Sequence, residues 1–308
     1  MLAVALGALA ACSTSTAGSP LATTVTSTAV TSTTVTPTTV TATAVTATTV
    51  APTTVTSTTV TPTTVTPTTV TPTTVTATTV TPTTVTSAVS RPADFLGEET
   101  IGTSVEGRPI VASHRGTAGG TVVLVVGAIH GNEHAGIAIL DDLRTMVLPP
   151  GIDLWLIDAI NPDGVAHDVR GNAHGVDLNR NFPHAWSKLG TPGDWQYSGP
   201  GPASEPETQT FMAFIQRVQP ALTLWYHQDL NRISPTTGPD APLRKRYALL
   251  TGLPYLTVSG GTYTGVASTW VKVTVPKSMS FIVELGPTLT SQQALVHAGA
   301  VLDIAARV

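Results

Sequence analysis

Residues 121–133 read TVVLVVGAIHGNE, from Thr121 to Glu133. The first nine form an unbroken apolar run rich in β-branched side chains, long enough for one strand and too short to span a bilayer. The run does not alternate polar with apolar, so both faces must be covered, as in a parallel sheet. It ends abruptly on His130-Gly131-Asn132-Glu133. Three more runs repeat the pattern: LWLIDAI at 154–160, ALTLWY at 221–226 and SFIVEL at 280–285. Between them lie stretches of helical spacing, over 133–145, over 205–218 after Ser204 as N-cap, and over 290–308 after Thr290 or Ser291. Strands alternating with helices predict a single α/β domain, with a mixed, mainly parallel central sheet flanked by helices on both faces. Such sheets bind ligands at the carboxyl ends of their strands. His130, Asn161, His227 and Glu284 stand at or near the ends of the four runs.

Outward from this domain the composition breaks. All 15 basic and 19 acidic side chains, all 8 histidines and every Phe, Trp and Tyr fall at or after Arg91. A segment without charge or ring, written in Thr/Val/Pro pentapeptides such as TTVTP and TTVTA, cannot build a packed core. Residues 13–90 are therefore expected as a disordered stalk. It would reach about 240 Å if polyproline-like and about 50 Å as a flexible coil. Residues 1–12 (MLAVALGALAAC) read as a signal peptide whose Leu-Ala-Ala-Cys ending resembles a bacterial lipoprotein box, with Cys12 the lipidated residue. No Lys or Arg precedes the apolar run. The expected location is exported and extracytoplasmic, tethered to a membrane through Cys12, or otherwise secreted. Cys12 is the only cysteine, which removes internal disulfides and any cysteine-based zinc site or nucleophile from residues 91–308. A formal net charge of −4 gives no footprint for nucleic acid.

His130 and Glu133 stand three apart, and His227 lies at a second strand end. A catalytic zinc takes three protein ligands and keeps one open position, and two histidines with one glutamate form one known set. HxxE alone is a weak signal. His130–His134 also fits H-x-x-E-H, in which both histidines bind zinc from a helix. That motif needs His130 already helical, whereas here a β-branched run leads straight into it and Gly131 follows.

The later motifs are more specific. Asn161-Pro162-Asp163-Gly164 precedes Arg170, and residues 175–182 read GVDLNRNF. With HGNE, Tyr226-His227 and FIVEL at 281–285, they resemble in order and rough spacing the zinc carboxypeptidase family of carboxypeptidase A-like metallopeptidases. The resemblance runs across about 95–290 and is nearest to the compact bacterial murein peptide amidase A branch. It implies one zinc ion held by His130, Glu133 and His227, with Glu284 as general base and Arg170 stabilising the developing oxyanion. It also implies that Asn179 and Arg180 grip a substrate carboxylate, and that Asp177 orients His130. Asn161 and Asp163 are read as turn-shaping, and Glu205 and Glu207 as first-turn helix acids. Tyr263 is the best positional match to the family's mobile tyrosine, but its spacing to Trp270 does not match and it stays outside the expected site. Residues 259–270, rich in Gly, Ser and Thr, are expected to form part of the specificity wall.

The implied activity is hydrolysis of an amide next to a C-terminal carboxylate-bearing residue. The expected bond is γ-D-glutamyl-diaminopimelate in a muropeptide, and the expected enzyme is a monomer. Three other readings stand beside it: a general carboxypeptidase acting on peptides, a deacylase of N-acyl amino acids, and a non-catalytic surface binding module.

Overall fold

The computed structural model describes residues 91–257 and 260–308. The expected signal segment, the stalk and Cys12 lie outside them. Among the described residues six strands form one sheet: β1 (Phe95–Thr103), β2 (Pro109–Gly116), β3 (Thr121–Ala128), β4 (Ile152–Ala159), β5 (Leu222–Gln228) and β6 (Met279–Leu285). The helices that join them, among the described residues, are α1 (Gly136–Leu143), α2 (Pro162–His167), α3 (Pro206–Val218), α4 (Ala241–Thr251), α5 (Ala267–Thr274) and α6 (Ser291–Ala305). A 3-10 turn covers Leu178–Arg180.

The strand order is β1-β2-β4-β3-β5-β6. The pairs β4/β3, β3/β5 and β5/β6 are parallel, whereas β1/β2 and β2/β4 are antiparallel. All four apolar runs are strands, and the mixed, mainly parallel sheet is as expected. Alternate residues of the central strands feed two cores. Val123, Val125, Leu154 and Leu224 pack under α1, α4 and α6, with Leu140, Tyr247 and Val301 among their partners. Leu124, Val126, Ile157 and Trp225 face the other way, toward Phe211 and Phe214 of α3 and Trp270 of α5.

The antiparallel edge is new relative to the sequence reading. In β1 and β2 Gly and charged residues interrupt the apolar residues, and two register shifts interrupt the pairing, so no continuous run marks them. The helix expected from residue 133 begins only at Gly136. The preceding backbone is committed elsewhere: Glu133 N donates to His130 O, and Ala135 N donates to the Gln228 side chain. Nor does Ser204 cap α3. The N-cap position is Glu205, and the Ser204 hydroxyl donates to the Glu205 carboxylate at 2.6 Å. At α6 the Thr290 cap is present, completed into a capping box by Gln293.

From β3 the chain moves to β4 on one side and later to β5 on the other. The order thus reverses between β3 and β5, the place where an open α/β sheet leaves a crevice beyond its strand ends. His130 follows β3 directly and His227 lies near the end of β5.

Candidate metal centre and active site

Three donor atoms converge in that crevice. His130 Nδ1 lies 2.9 Å from Glu133 Oε2, His227 Nδ1 lies 2.8 Å from the same oxygen, and the two Nδ1 atoms are 3.1 Å apart. A tetrahedral zinc with bonds of about 2.0–2.2 Å sets its donors about 3.3–3.6 Å apart, so this triangle needs only slight opening to hold one ion. All three residues are buried, and among the described residues they form the one grouping of His, Cys, Asp and Glu that could hold a metal. The donor set fits zinc. His134 is outside it: half exposed, its Nδ1 faces Gly131 O at 3.0 Å.

His130 Nε2 lies 3.0 Å from Asp177 Oδ1. A hydrogen bond there puts the ring proton on Nε2 and leaves Nδ1 as a free lone pair aimed at the metal position. Asp177 also caps the 3-10 turn by accepting from Asn179 N at 2.9 Å. Its other oxygen receives Arg170 Nε and Nη2 at 3.1 and 2.9 Å. Burial pushes the Asp177 carboxyl up, but the charges of His130, Arg170 and Arg180 outweigh it and hold the group well below the usual carboxylate range. Glu133 behaves alike: burial raises it, and the interactions with the His130 and His227 rings outweigh burial, so it is held low.

Arg170 is fixed by contacts on several sides. Besides Asp177 it donates to Glu133 Oε1 at 2.7 Å, and its guanidinium carbon lies 4.2 Å from the centre of the exposed Trp195 ring. Nη1 is 3.1 Å from His130 Nδ1, so a cation faces the metal donors directly. Arg180 is different. It is only 4% exposed, Nη1 donates to Asn179 O at 2.8 Å, and the buried Nε has no hydrogen-bond partner. Asn179 Oδ1 accepts from Ala267 N at 3.0 Å, and its Nδ2 lies 3.4 Å from His227 Nε2. This asparagine therefore touches the second histidine, a contact its place in the sequence did not suggest.

Glu284 stands opposite His227 in the β5/β6 register, and directly paired residues of a sheet project on the same face. Burial, and next the nearby Glu133 carboxylate, push its pKa up to about 7. A carboxylate poised near neutrality is suited to taking and returning a proton. The three donor residues, Arg170, Asn179, Arg180 and Glu284 line one cavity of about 500 Å³, whose wall also includes Gly260, Gly261, Tyr263 and Val266. Tyr263 thus belongs to the site, its ring centre 5.4 Å from the Arg180 guanidinium carbon.

The supporting residues explain the remaining motifs. An added Cβ on Gly131 would lie 1.9 Å from the backbone carbon of Gly164, and one on Gly164 would lie 2.4 Å from the Asn161 amide. HGNE and NPDG are glycine-bearing because their backbones touch. Asn161 accepts from Gly164 N and donates to Arg170 O. Asp163, fully buried, accepts from Ser104 Oγ, Glu106 N and Arg108 Nη1 at 2.6–2.9 Å, tying α2 to the β1–β2 turn. Glu205 and Glu207 are more than helix-end acids: both are buried, and Asn172 Nδ2 reaches them at 2.8 and 3.0 Å. They brace the loop that carries Arg170 toward Asp177. Gln228 joins the start of α1 to the segment after β6, accepting from Ala135 N and donating to Gly286 O.

Residues 86–234 match the model of the zinc carboxypeptidase family. Over this stretch the chain is similar to a zinc carboxypeptidase domain. Murein peptide amidase A of Escherichia coli K12 is 33% identical over 145 residues, which cover 44% of this chain and 60% of that protein. The protein of the same name from Vibrio campbellii is 27% identical over 151 residues, 46% and 61% of the two chains. These matches therefore span about three fifths of the curated relatives. Among solved structures, the murein-tripeptide amidase MpaA from Escherichia coli O157 superposes with a TM-score of 0.56 at 28% identity, over 68% of this chain and 91% of that one. Carboxypeptidase A from Helicoverpa armigera shares the fold, with a TM-score of 0.61 at 21% identity over 70% and 68%. Glu284 lies beyond the stretch matched to the family model; it is the β5/β6 register that brings it to the donors.

Proposed function

We propose that this protein is a zinc-dependent hydrolase of peptide amides next to a terminal carboxylate, acting on murein stem peptides at the γ-D-glutamyl-diaminopimelate bond. One observation carries the first part. The cavity that holds the metal donors also holds Arg180, a buried guanidinium with an unpartnered Nε and no carboxylate within 4 Å among the described residues. Such a group is costly until an anion meets it. The amidase relatives support the second part, as does the segment ending at Cys12, which would export and tether the chain beside the cell wall.

His130, Glu133 and His227 would hold the zinc. When bound, zinc acidifies water and polarises a carbonyl. Arg180, with Asn179 beside it, takes the terminal carboxylate and so fixes which amide reaches the donors. Glu284 accepts a proton from the attacking water and delivers it to the leaving nitrogen. Arg170, locked by Asp177 and Trp195, presents Nη1 where negative charge develops on the carbonyl oxygen, without reorganising during the reaction. Asp177 keeps the His130 proton on Nε2 throughout.

The test is Glu284→Gln in the zinc-loaded protein, with products of defined muropeptides identified by mass. The parent should release diaminopimelate, and the variant should keep stoichiometric zinc while losing about 10²–10⁴ in rate. Equal turnover by parent and variant would refute the role of Glu284. Release of ordinary C-terminal residues in preference to diaminopimelate would favour the general carboxypeptidase instead.

A further inference from the structure

A third arginine lines the same cavity and has no part in the chemistry above. Arg232 lies in the segment after β5, and its backbone is clamped to that of the proposed base. Arg232 N donates to Glu284 O at 2.9 Å, and Glu284 N donates to Arg232 O at 3.1 Å. Residues that exchange both bonds stand directly opposite each other and send their side chains to the same face. Arg232 therefore emerges on the cavity side, at a distance from Glu284 that the ladder fixes. Its Nε donates to Leu230 O at 3.0 Å and its Nη1 to Thr257 O at 3.4 Å. These carbonyls orient the guanidinium but leave its charge unbalanced. None of the cavity carboxylates, Glu133, Asp229 or Glu284, comes within 4 Å of it, nor does any other acid among the described residues.

The cavity thus offers two cations without carboxylate partners, Arg180 and Arg232, as well as Arg170, which is neutralised. One terminal carboxylate satisfies only Arg180. We infer that Arg232 is a specificity-determining residue that binds a second carboxylate, carried on the side chain of the leaving residue. The preferred leaving group is a dicarboxylic amino acid, and Arg232 reads the distal acid. This rests on the hydrolase reading and sharpens it, because it names the group that separates a dicarboxylic leaving residue from an ordinary one. The planar fork of arginine suits paired bonds to a carboxylate.

The experiment uses the full zinc-loaded chain and two acyl-γ-D-glutamyl peptides. One ends in 2-aminoadipate and the other in the neutral side-chain amide of 2-aminoadipate, equal in shape. The parent should favour the acid in kcat/KM by about ten- to a hundredfold, the usual range for a charge-assisted hydrogen bond. Arg232→Gln should bring that ratio close to one, and Arg232→Lys should restore part of it. A loss due only to misfolding would lower both substrates alike and leave the ratio intact. Turnover of both peptides by the parent without preference, or a preference that survives in Arg232→Gln, overturns the inference. If neither peptide is cleaved, the hydrolase reading fails. Calorimetric binding of the same two peptides to the metal-free chain then decides on Arg232 alone: tighter binding of the acid that Arg232→Gln abolishes upholds it, and equal binding overturns it.

Discussion

Replacing Asp177 by asparagine keeps its size and removes its charge. In the parent, four donors converge on the carboxylate: His130 Nε2 and Asn179 N on Oδ1, and Arg170 Nε and Nη2 on Oδ2, all at 2.9–3.1 Å. An asparagine has one acceptor oxygen and an NH₂ that can only donate. If the oxygen faces His130, the NH₂ is set against two guanidinium donors and Arg170 must move. If the oxygen faces Arg170, the NH₂ faces His130 Nε2, which must then give up its proton. The proton passes to Nδ1, the atom that points at Glu133 and His227, and blocks it as a ligand. Either orientation weakens the site, and loss of such a supporting carboxylate lowers metal affinity about ten- to a hundredfold, or about 1.4–2.7 kcal/mol. Breaking a buried ion pair costs about 3–5 kcal/mol of stability. Here the lower end applies, because Arg170 keeps Glu133 at 2.7 Å and the face of Trp195. The assays are zinc competition against a chromophoric chelator at pH 7 and urea unfolding of the metal-free protein. A zinc affinity within about threefold of the parent would refute the claim that Asp177 sets the His130 tautomer.

Three further outcomes follow from the same geometry. Gly131→Ala places a methyl 1.9 Å from the Gly164 backbone, where no side-chain rotation can relieve it; stability should fall by about 1–3 kcal/mol or more, with weakened zinc binding, and an unchanged denaturation midpoint would contradict the packing described. Trp195→Ala removes the ring beneath Arg170 and should lower kcat/KM about two- to fivefold at unchanged zinc affinity, whereas a loss of zinc would show that the ring supports the donors instead. Burial pulls His297 down to about 4, from about 6.5 in an unfolded chain, so the fold excludes a proton that the unfolded chain binds. Its contribution is complete above about pH 6.5 and is lost as pH falls toward 4, by about 3 kcal/mol in all; stability profiles of the parent and His297→Gln should diverge over that window, and parallel profiles would exclude the histidine as the source.

The parts of the fold that could be read directly are those whose environment imposes an unmistakable pattern. β3, β4, β5 and β6 are covered on both faces, so apolar residues run through them with few polar breaks. The antiparallel strands β1 and β2 have one partly wet face, and their pairing has two register shifts, so their pattern dissolves into that of a loop. The site divides in the same way. His130, Glu133, Arg170, Asp177, Arg180 and His227 each sit in a short string whose neighbours also matter for the local turn, so order and spacing mark them. Asn172, Glu205, Glu207 and Gln228 act across 30 or more residues of sequence, and nothing local distinguishes a bracing glutamate from a helix-end one. Tyr263 is an intermediate case: its glycine-rich surroundings pointed to the cavity wall, but only the fold places its ring beside Arg180.

On the proposed function, Arg170 and Arg180 would divide catalysis from recognition with one residue type. A buried guanidinium keeps its charge, so its energy depends on what lies opposite. Arg170 has its carboxylates built in, Asp177 and Glu133, and is therefore already in place when the substrate is absent, as a group that meets transient charge must be. Arg180 has carbonyl oxygen, an aromatic face and an empty Nε, and burial lowers its pKa. On the proposed function its cost would be recovered when a carboxylate arrives, which would make binding energy contingent on the substrate having one. Exchanging the two conditions would fail on both counts. An unpaired Arg170 would swing toward bulk water or clamp the substrate's acid in the wrong place, and a paired Arg180 would bind a neutral terminus as well as a charged one.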